Sequence, residues 1–395
     1  MRARRPATAL ALVACLAEGA AAQAPDSTLA QDGIYARPFI GAVSFASIGG
    51  YVEGNTNYFV QDGVGDGFSM ELRRFNVFLF SQISPRLRFL SELEFEHGTE
   101  EIALETALVD LQIRPELVIR AGIILPPLGY FNQNHDSPRW DFVDRPLVST
   151  DIIPSTLSEV GGGLYGRIGL SGAILSYDAY LTNGLADGVV GNELGRTDIA
   201  SGKSEELFAE DNNGSPAVSG RIALRRPGLG EVGLSYYGGY YNAFRVEGAT
   251  VDARRWVGIS ALDFAASVGG ADVRGELAHA AVDVPPGMME IFGDAQWGGH
   301  VDVMLPVWRP RVLDYQDAVI AVGARLERVD YNRGTFAATG DPIGDDVTAI
   351  VPGVSFRPTP GTVFRANYRR HWIRDFAGNP TAHRAGFQLG FATYF

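Results

Sequence analysis

The stretch His383-Arg384-Ala385-Gly386-Phe387-Gln388-Leu389-Gly390-Phe391-Ala392-Thr393-Tyr394-Phe395 decides how the chain is read. In extended conformation Phe387, Leu389, Phe391, Thr393 and Phe395 share one face, and Arg384, Gly386, Gln388, Gly390 and Ala392 share the other. One face is aromatic and apolar; the other is small and polar. If such a strand lies in lipid, its backbone groups must be paired on both sides, and only a closed barrel supplies those partners. The chain upstream is therefore read for further strands.

Composition agrees with that reading. Of 395 residues 46% are hydrophobic and 20% charged, and the mean hydropathy is +0.01. That is too polar for a bundle of membrane helices, and no stretch approaches the ~20 consecutive apolar residues such a helix needs. Strands that are apolar on one side only fit it. Cys15 is the single cysteine, so no disulfide framework forms within the chain.

Residues 1–22 read as a secretory signal: Arg2, Arg4 and Arg5, an apolar run from Ala7 to Leu16, and small residues up to Ala22. Leu12-Val13-Ala14-Cys15 is similar to a lipobox, so lipidation at Cys15 stands open beside cleavage after Ala22. Residues 23–36 are expected to be a flexible segment, with the barrel over 37–395. The three arginines and Glu18 of the signal contribute +2, so its removal takes the formal charge from −13 to −15. Such a chain does not bind nucleic acid by electrostatics.

Extended segments then alternate with connections that are short on one side and long on the other. The first strand is expected over Pro38 to Val52, with a loop at Gln61 to Gly67, and the second over Phe68 to Ile83. Ser84-Pro85-Arg86 and Arg114-Pro115-Glu116 mark tight turns, as do Arg226-Pro227-Gly228, Val268-Gly269-Gly270 and Arg357-Pro358-Thr359-Pro360-Gly361. The tally is about sixteen strands, an even number with both ends on the side of short turns. The fold class is all-β: a transmembrane antiparallel β-barrel with short periplasmic turns and long outer loops. A barrel of that size cannot fill itself with side chains and leaves an aqueous lumen.

Alternation also sorts the lining. Arginine facing lipid at mid-membrane costs roughly 2 to 4 kcal/mol, so charges in the strands face inward or sit at a rim. This makes Arg74, Glu92, Glu94, Arg120, Arg274, Glu276, His300, Asp302, Arg325, Glu327, Arg365 and Arg369 candidates for the pore lining. The connection Pro126 to Ser158 is too long to be structureless by chance. It is the third outer loop, and His135, Asp136, Arg139, Asp141, Asp144 and Arg145 are its candidates for a constriction. Tyr51, Trp140, Tyr236, Tyr237, Tyr240, Tyr241, Trp256, Trp297 and Trp372 are candidates for interfacial girdles.

Several motifs carry a family resemblance: Leu72-Arg73-Arg74-Phe75-Asn76-Val77, Ala107-Leu108-Val109-Asp110, Arg120-Ala121-Gly122 with Pro126-Pro127-Leu128-Gly129, Ala324-Arg325-Leu326-Glu327-Arg328-Val329-Asp330, and Gly353-Val354-Ser355-Phe356-Arg357-Pro358-Thr359-Pro360. Together they resemble the phosphate-selective porin O and P family within the porin superfamily. The closing strand resembles that of bacterial outer-membrane barrels, which implies Phe395 as an assembly signal. The resemblance implies passage of solutes through the lumen, an outer-membrane location in a diderm bacterium, contact with the outer-membrane assembly machinery and lipid, and a possible homotrimer. The chain departs from phosphate-selective members in its acidic row Glu92, Glu94 and Glu96 and in having Lys203 as its only lysine. The expected function is passive diffusion of small hydrophilic solutes or ions. An anion- or phosphate-selective channel and a plugged structural or adhesive barrel are the alternatives. None of the six histidines lies in a nucleophile motif, so no enzyme is expected. No nucleotide loop, cofactor motif or metal cluster is legible.

Overall fold

The computed structural model describes residues 37, 40–43 (backbone only), 46–288, 290 and 292–395. The expected signal, Cys15 and residues 23–36 lie outside the described residues. Sixteen antiparallel strands close into one barrel. They are β1 (Ala46–Gln61), β2 (Val64–Gln82), β3 (Leu87–Glu96), β4 (Glu101–Arg114), β5 (Leu117–Ile124), β6 (Glu159–Leu170), β7 (Ala173–Thr182) and β8 (Ala217–Arg226). Then come β9 (Gly230–Tyr240), β10 (Trp256–Val268), β11 (Ala271–Val282), β12 (Ala295–Trp308), β13 (Val319–Asp330), β14 (Asp346–Thr359), β15 (Thr362–Arg374) and β16 (Ala382–Tyr394). Each pairs with its sequence neighbour, and β16 pairs with β1 from Arg384↔Gln61 to Tyr394↔Tyr51. Closure leaves the barrel strands no free edge, as a hydrocarbon surround requires.

The outer surface carries the apolar rows. Phe387 is 64% exposed while its neighbour Gln388 is 1% exposed, which fixes the two faces of β16. The same alternation sets Leu277 outward against Glu276, and Leu326 outward against Arg325 and Glu327.

Two expectations fail for identifiable reasons. The span Gln61 to Gly67 is not a loop: Asp62 (φ 49°) and Gly63 (φ 89°) make a two-residue hairpin, and Val64 pairs with Gln61. Positive φ at both central positions is the turn that matches strand twist, and Asp-Gly is among the sequences that favour it. The first strand accordingly runs to Gln61 rather than Val52. Of the proposed girdle, Tyr51, Trp140, Tyr237 and Tyr241 are buried in the interior.

Candidate functional site

The loop between Ile124 and Glu159 folds into the lumen. Its neck is clamped by Asn132, whose Nδ2 donates to the carbonyls of Pro126 (2.9 Å) and Leu157 (3.1 Å) while its Oδ1 accepts from Leu157 N (2.8 Å). Near the start, Gly129 takes φ +64°, and an added Cβ would lie 2.3 Å from Oε2 of Glu276. Only glycine lets the backbone pass the opposite wall there.

The loop reaches strands all round the barrel. On one side Ser149 Oγ donates to Glu276 (2.7 Å), Tyr130 N donates to the same carboxylate (2.7 Å), and Leu147 N donates to Glu327 (2.9 Å). On β13 to β15, Arg325 donates to the Asp144 carbonyl (2.8 Å), Arg365 to the Phe142 carbonyl (2.9 Å) and Arg357 to the Asp141 carboxylate (2.9 Å). Arg139 donates to the Tyr394 hydroxyl at 3.1 Å. Arg145 donates to Thr156 Oγ1 at 3.3 Å, within the loop.

Asp144 is the hub of the charged side. It accepts from Arg73 on β2 (2.9 Å), Arg369 on β15 (2.9 Å) and Gln388 on β16 (2.7 Å). Burial opposes its ionisation, but Arg369 and Arg73 outweigh that and hold the carboxyl well below its ordinary range. Its side chain is still 25% exposed, so it fronts the water of the lumen.

A second tie fastens the loop to β3 and β4. His135 Nε2 lies 3.0 Å from Glu105 Oε2 and 3.8 Å from Glu92 Oε1, and its Nδ1 is 3.0 Å from the Asn132 carbonyl. Burial disfavours the imidazolium, yet Glu105 and Glu92 raise its pKa to about 10. Asp136 beside it accepts from Arg37 Nη2 at 2.7 Å, and Arg37 also meets Glu92 at 2.8 Å. Glu94 lies beyond, bonded to Asn76 Nδ2 (2.9 Å), and Arg145 adds positive field at Glu105.

Strict alternation misses part of this constellation because two β-bulges break it. The register steps from Glu53↔Arg74 to Gly54↔Leu72, leaving Arg73 as the extra residue. Consecutive Arg73 and Arg74 thereby both reach lumenal carboxylates, Asp144 and Glu53. A second step, from Glu92↔Thr106 to Leu93↔Leu104, sets Glu105 inward. A bulge re-aims a side chain by adding one unpaired residue. Arg73, Glu105, Glu53 and Arg37 are absent from the candidate lining, and Gln388, though placed on the polar face of the closing strand, is not among it; the signal for Arg73 is the Arg73-Arg74 doublet.

The expected lining residues point inward, where most are engaged rather than free to meet solutes. Arg325 makes a bidentate pair with Asp302 (2.7 and 2.8 Å), and Arg120 with Asp110 (2.8 Å twice). Arg365 meets Glu53 (3.2 Å), Arg369 meets Glu327 (2.7 Å), and Arg74 bridges Glu53, Glu94 and Glu96. Glu92, Glu276, Glu327, Arg325 and Arg369 are all under 5% exposed. His300 is buried beside Asp302, while Arg274 stacks near Trp140 (5.7 Å) and stays part-exposed.

Two regions flank the crossing. On the outer side, Val148, Ile152 and Ile153 of the loop and Leu185, Val189 and Ile199 of the next outer loop form one apolar cluster with Tyr237, Val257, Ile259, Ala280 and Val329. That cluster fills the β9–β13 side of the outer lumen. Toward the short turns lies an open vestibule of about 600 Å³, roofed by Tyr130, Arg139 and Trp140. Eight arginines line it against four carboxylates.

No family model matches the chain. A protein of Aquifex aeolicus (strain VF5) described as uncharacterized is 28% identical over 352 residues, 84% of this chain and 77% of that one. Among solved structures, the anion-selective porin from Comamonas acidovorans superposes with a TM-score of 0.55 at 13% identity, covering 89% of this chain and 99% of that one. The fold is that of outer-membrane porins. OmpT, an outer membrane protein of Vibrio cholerae (TM-score 0.53, 11% identity, 90% and 99% covered), and OmpF of Salmonella typhi (0.53, 10%, 89% and 97%) share the same barrel. At these identities it is the fold that is shared, and the charge arrangement above belongs to this chain.

Proposed function

We propose that this chain is an outer-membrane porin through which small hydrophilic solutes or ions diffuse passively. The observation that carries the reading is the loop 125–158, folded across the lumen and tied to the wall through Asp144, His135 and the Glu276 carboxylate. Such a crossing narrows a wide barrel and places fixed charges of both signs at the narrow zone, which screens solutes by size and charge. Water-fronting groups there, Asp144, Arg73, Arg139 and Arg274, set the filter. The location in an outer membrane, delivery by the assembly machinery and trimeric assembly belong to the same proposal and rest on the likeness to porins.

A second reading has its own support: with Asp110 and Asp263 pairing Arg120 and Arg221 from behind the lining, eight arginines of the vestibule still face six carboxylates, and a positive excess favours anions over cations. The motifs resembling phosphate-selective porins point the same way. Planar-bilayer recording of the refolded barrel under a salt gradient tests both. Stable ohmic steps support the porin; the sign of the reversal potential gives the preferred ion, and block by added phosphate supports the phosphate reading. Folded barrel without conductance overturns the porin and leaves a plugged structural barrel.

A further inference from the structure

The strongest unassigned cluster is the buried triad where the loop meets the wall. Its three donor atoms, His135 Nε2, one oxygen of Glu92 and one of Glu105, lie within 4.8 Å of one another. A four-coordinate ion bound at about 2.0–2.2 Å needs donors separated by about 3.4 Å. The separations of 3.0 and 3.8 Å from Nε2 bracket that value.

The surroundings are arranged as those of a metal ligand. The Asn132 carbonyl, 3.0 Å from Nδ1, accepts the ring proton there and so aims Nε2 at the carboxylates. Asn132 is itself fixed by the neck of the loop, so the ring direction is set from outside the triad. Metal-bound histidines are oriented this way, by an acceptor on the second nitrogen. Glu92 is steadied by Asn76 Nδ2 at 2.8 Å. Thr106, paired opposite Glu92, is fully buried, and its Oγ1 has no hydrogen-bond partner, a polar atom left over beside the triad.

We propose that Glu92, Glu105 and His135 form a binding site for one divalent first-row transition-metal ion that pins the lumen loop to β3 and β4. One imidazole nitrogen with two carboxylate oxygens suits zinc, manganese or iron better than calcium or magnesium, which favour all-oxygen shells. The ion takes the place of the proton on Nε2, which passes to solvent, so binding releases protons and strengthens as pH rises. Arg37 holds the other oxygen of Glu92, Oε2, at 2.8 Å, which turns Oε1 toward the ring.

The test uses the refolded full barrel in detergent, stripped with chelator and titrated with zinc chloride by calorimetry and with cobalt(II) chloride by visible absorption. The expected result is one equivalent per chain, proton release in buffers of different ionisation enthalpy, and a low-symmetry cobalt spectrum. His135→Gln and Glu105→Gln should each weaken zinc binding by more than about tenfold, since even outer partners of ligands cost 10–100-fold. Absence of binding by the folded wild type overturns the proposal and leaves a protonated His135 as the tie; equal binding by folded His135→Gln also overturns it. Should the variants not fold, the wild type decides: a cobalt spectrum like that of the aqua ion, without proton release, marks adventitious surface binding and sinks the site.

Discussion

Arg369 on β15 donates through Nη1 to Asp144 of the lumen loop at 2.9 Å and through Nη2 to Glu327 on β13 at 2.7 Å, so one guanidinium joins the loop to the wall. Arg73 meets the other oxygen of Asp144 from β2, also at 2.9 Å. The carboxylate is thus held from two strands on either side of the β16–β1 closure. An asparagine in its place keeps the shape and removes the charge. Asp144→Asn is expected to destabilise the barrel by roughly 1.5–3 kcal/mol, the range for hydrogen bonds to charged partners. It should also move the reversal potential toward anions, because Arg73 and Arg369 lose their shared counter-charge. Urea titration and bilayer recording measure the two effects; an unchanged reversal potential would show that Asp144 does not front the conducting path.

The His135 tie predicts a pH window. Its pKa rises on folding, from an ordinary 6.5 to about 10, so the folded state holds the proton more tightly than the unfolded chain. The stabilisation is fully present below about pH 6.5, declines as the unfolded state loses its proton, and is gone above about pH 10. The ring faces Glu92 from β3 and Glu105 from β4, with Asp136 next to it in the chain; Arg37 and Arg145 act on those carboxylates, and Glu94 lies beyond them. In chelator, wild-type stability should fall between pH 6.5 and 10, and His135→Gln should flatten that segment. Denaturant midpoints taken across the range check it; parallel curves for the two proteins would contradict the tie.

What is legible in the sequence and what is hidden follow from the range of each interaction. Turns such as Ser84-Pro85-Arg86 and Val268-Gly269-Gly270 are local chemistry, so the strand tally is readable. The inward direction of Glu276, Asp302 and Arg325 is also readable, because a charge facing lipid is costly. Asp62-Gly63 carries a local signal too, but its polar and glycine-rich neighbours make it read as part of a longer loop. The bulges at Arg73 and Glu105 depend on the neighbouring strand and leave almost no local trace. Likewise, whether Glu327 meets water or the Leu147 amide depends on how residues 180 positions apart register in space. Alternation therefore assigns the faces, and the loop decides which residues on the inner face stay wet.

Arg325 and Asp302 give the sharpest stability prediction. The guanidinium is 1% exposed, paired in bidentate fashion on neighbouring strands and stacked 4.7 Å from the Phe142 ring. Removing only the carboxylate leaves a buried charge without its counterion, which costs roughly 3–5 kcal/mol. Asp302→Ala should therefore be far more damaging than replacing both residues with apolar ones of similar volume. A double substitution, Asp302→Leu with Arg325→Met, is expected to recover much of that loss in urea unfolding. Equal loss in single and double variants would mean that the Asp144 and Phe142 contacts of Arg325, rather than the ion pair, hold this part of the wall.

The vestibule yields the last prediction. Its arginines act on a passing ion across several ångströms of water, and that reach depends on salt: the screening length is about 10 Å at 0.1 M and about 3 Å at 1 M. At 0.1 M the field of the arginine-rich lining extends across the vestibule, and anions are expected to carry most of the current. At 1 M only ions passing against the wall feel it, so the preference should fade. Arg274→Glu removes one positive charge beside the Arg139 and Trp140 roof and adds a negative one, a change of two charges where the loop meets the vestibule. It should weaken anion preference at 0.1 M and have little effect at 1 M, with conductance largely kept because the backbone is untouched. Reversal potentials of wild type and variant at the two salt levels check this. A preference that persists at 1 M would place selectivity in short-range contacts at Asp144 and Arg73, not in the vestibule field.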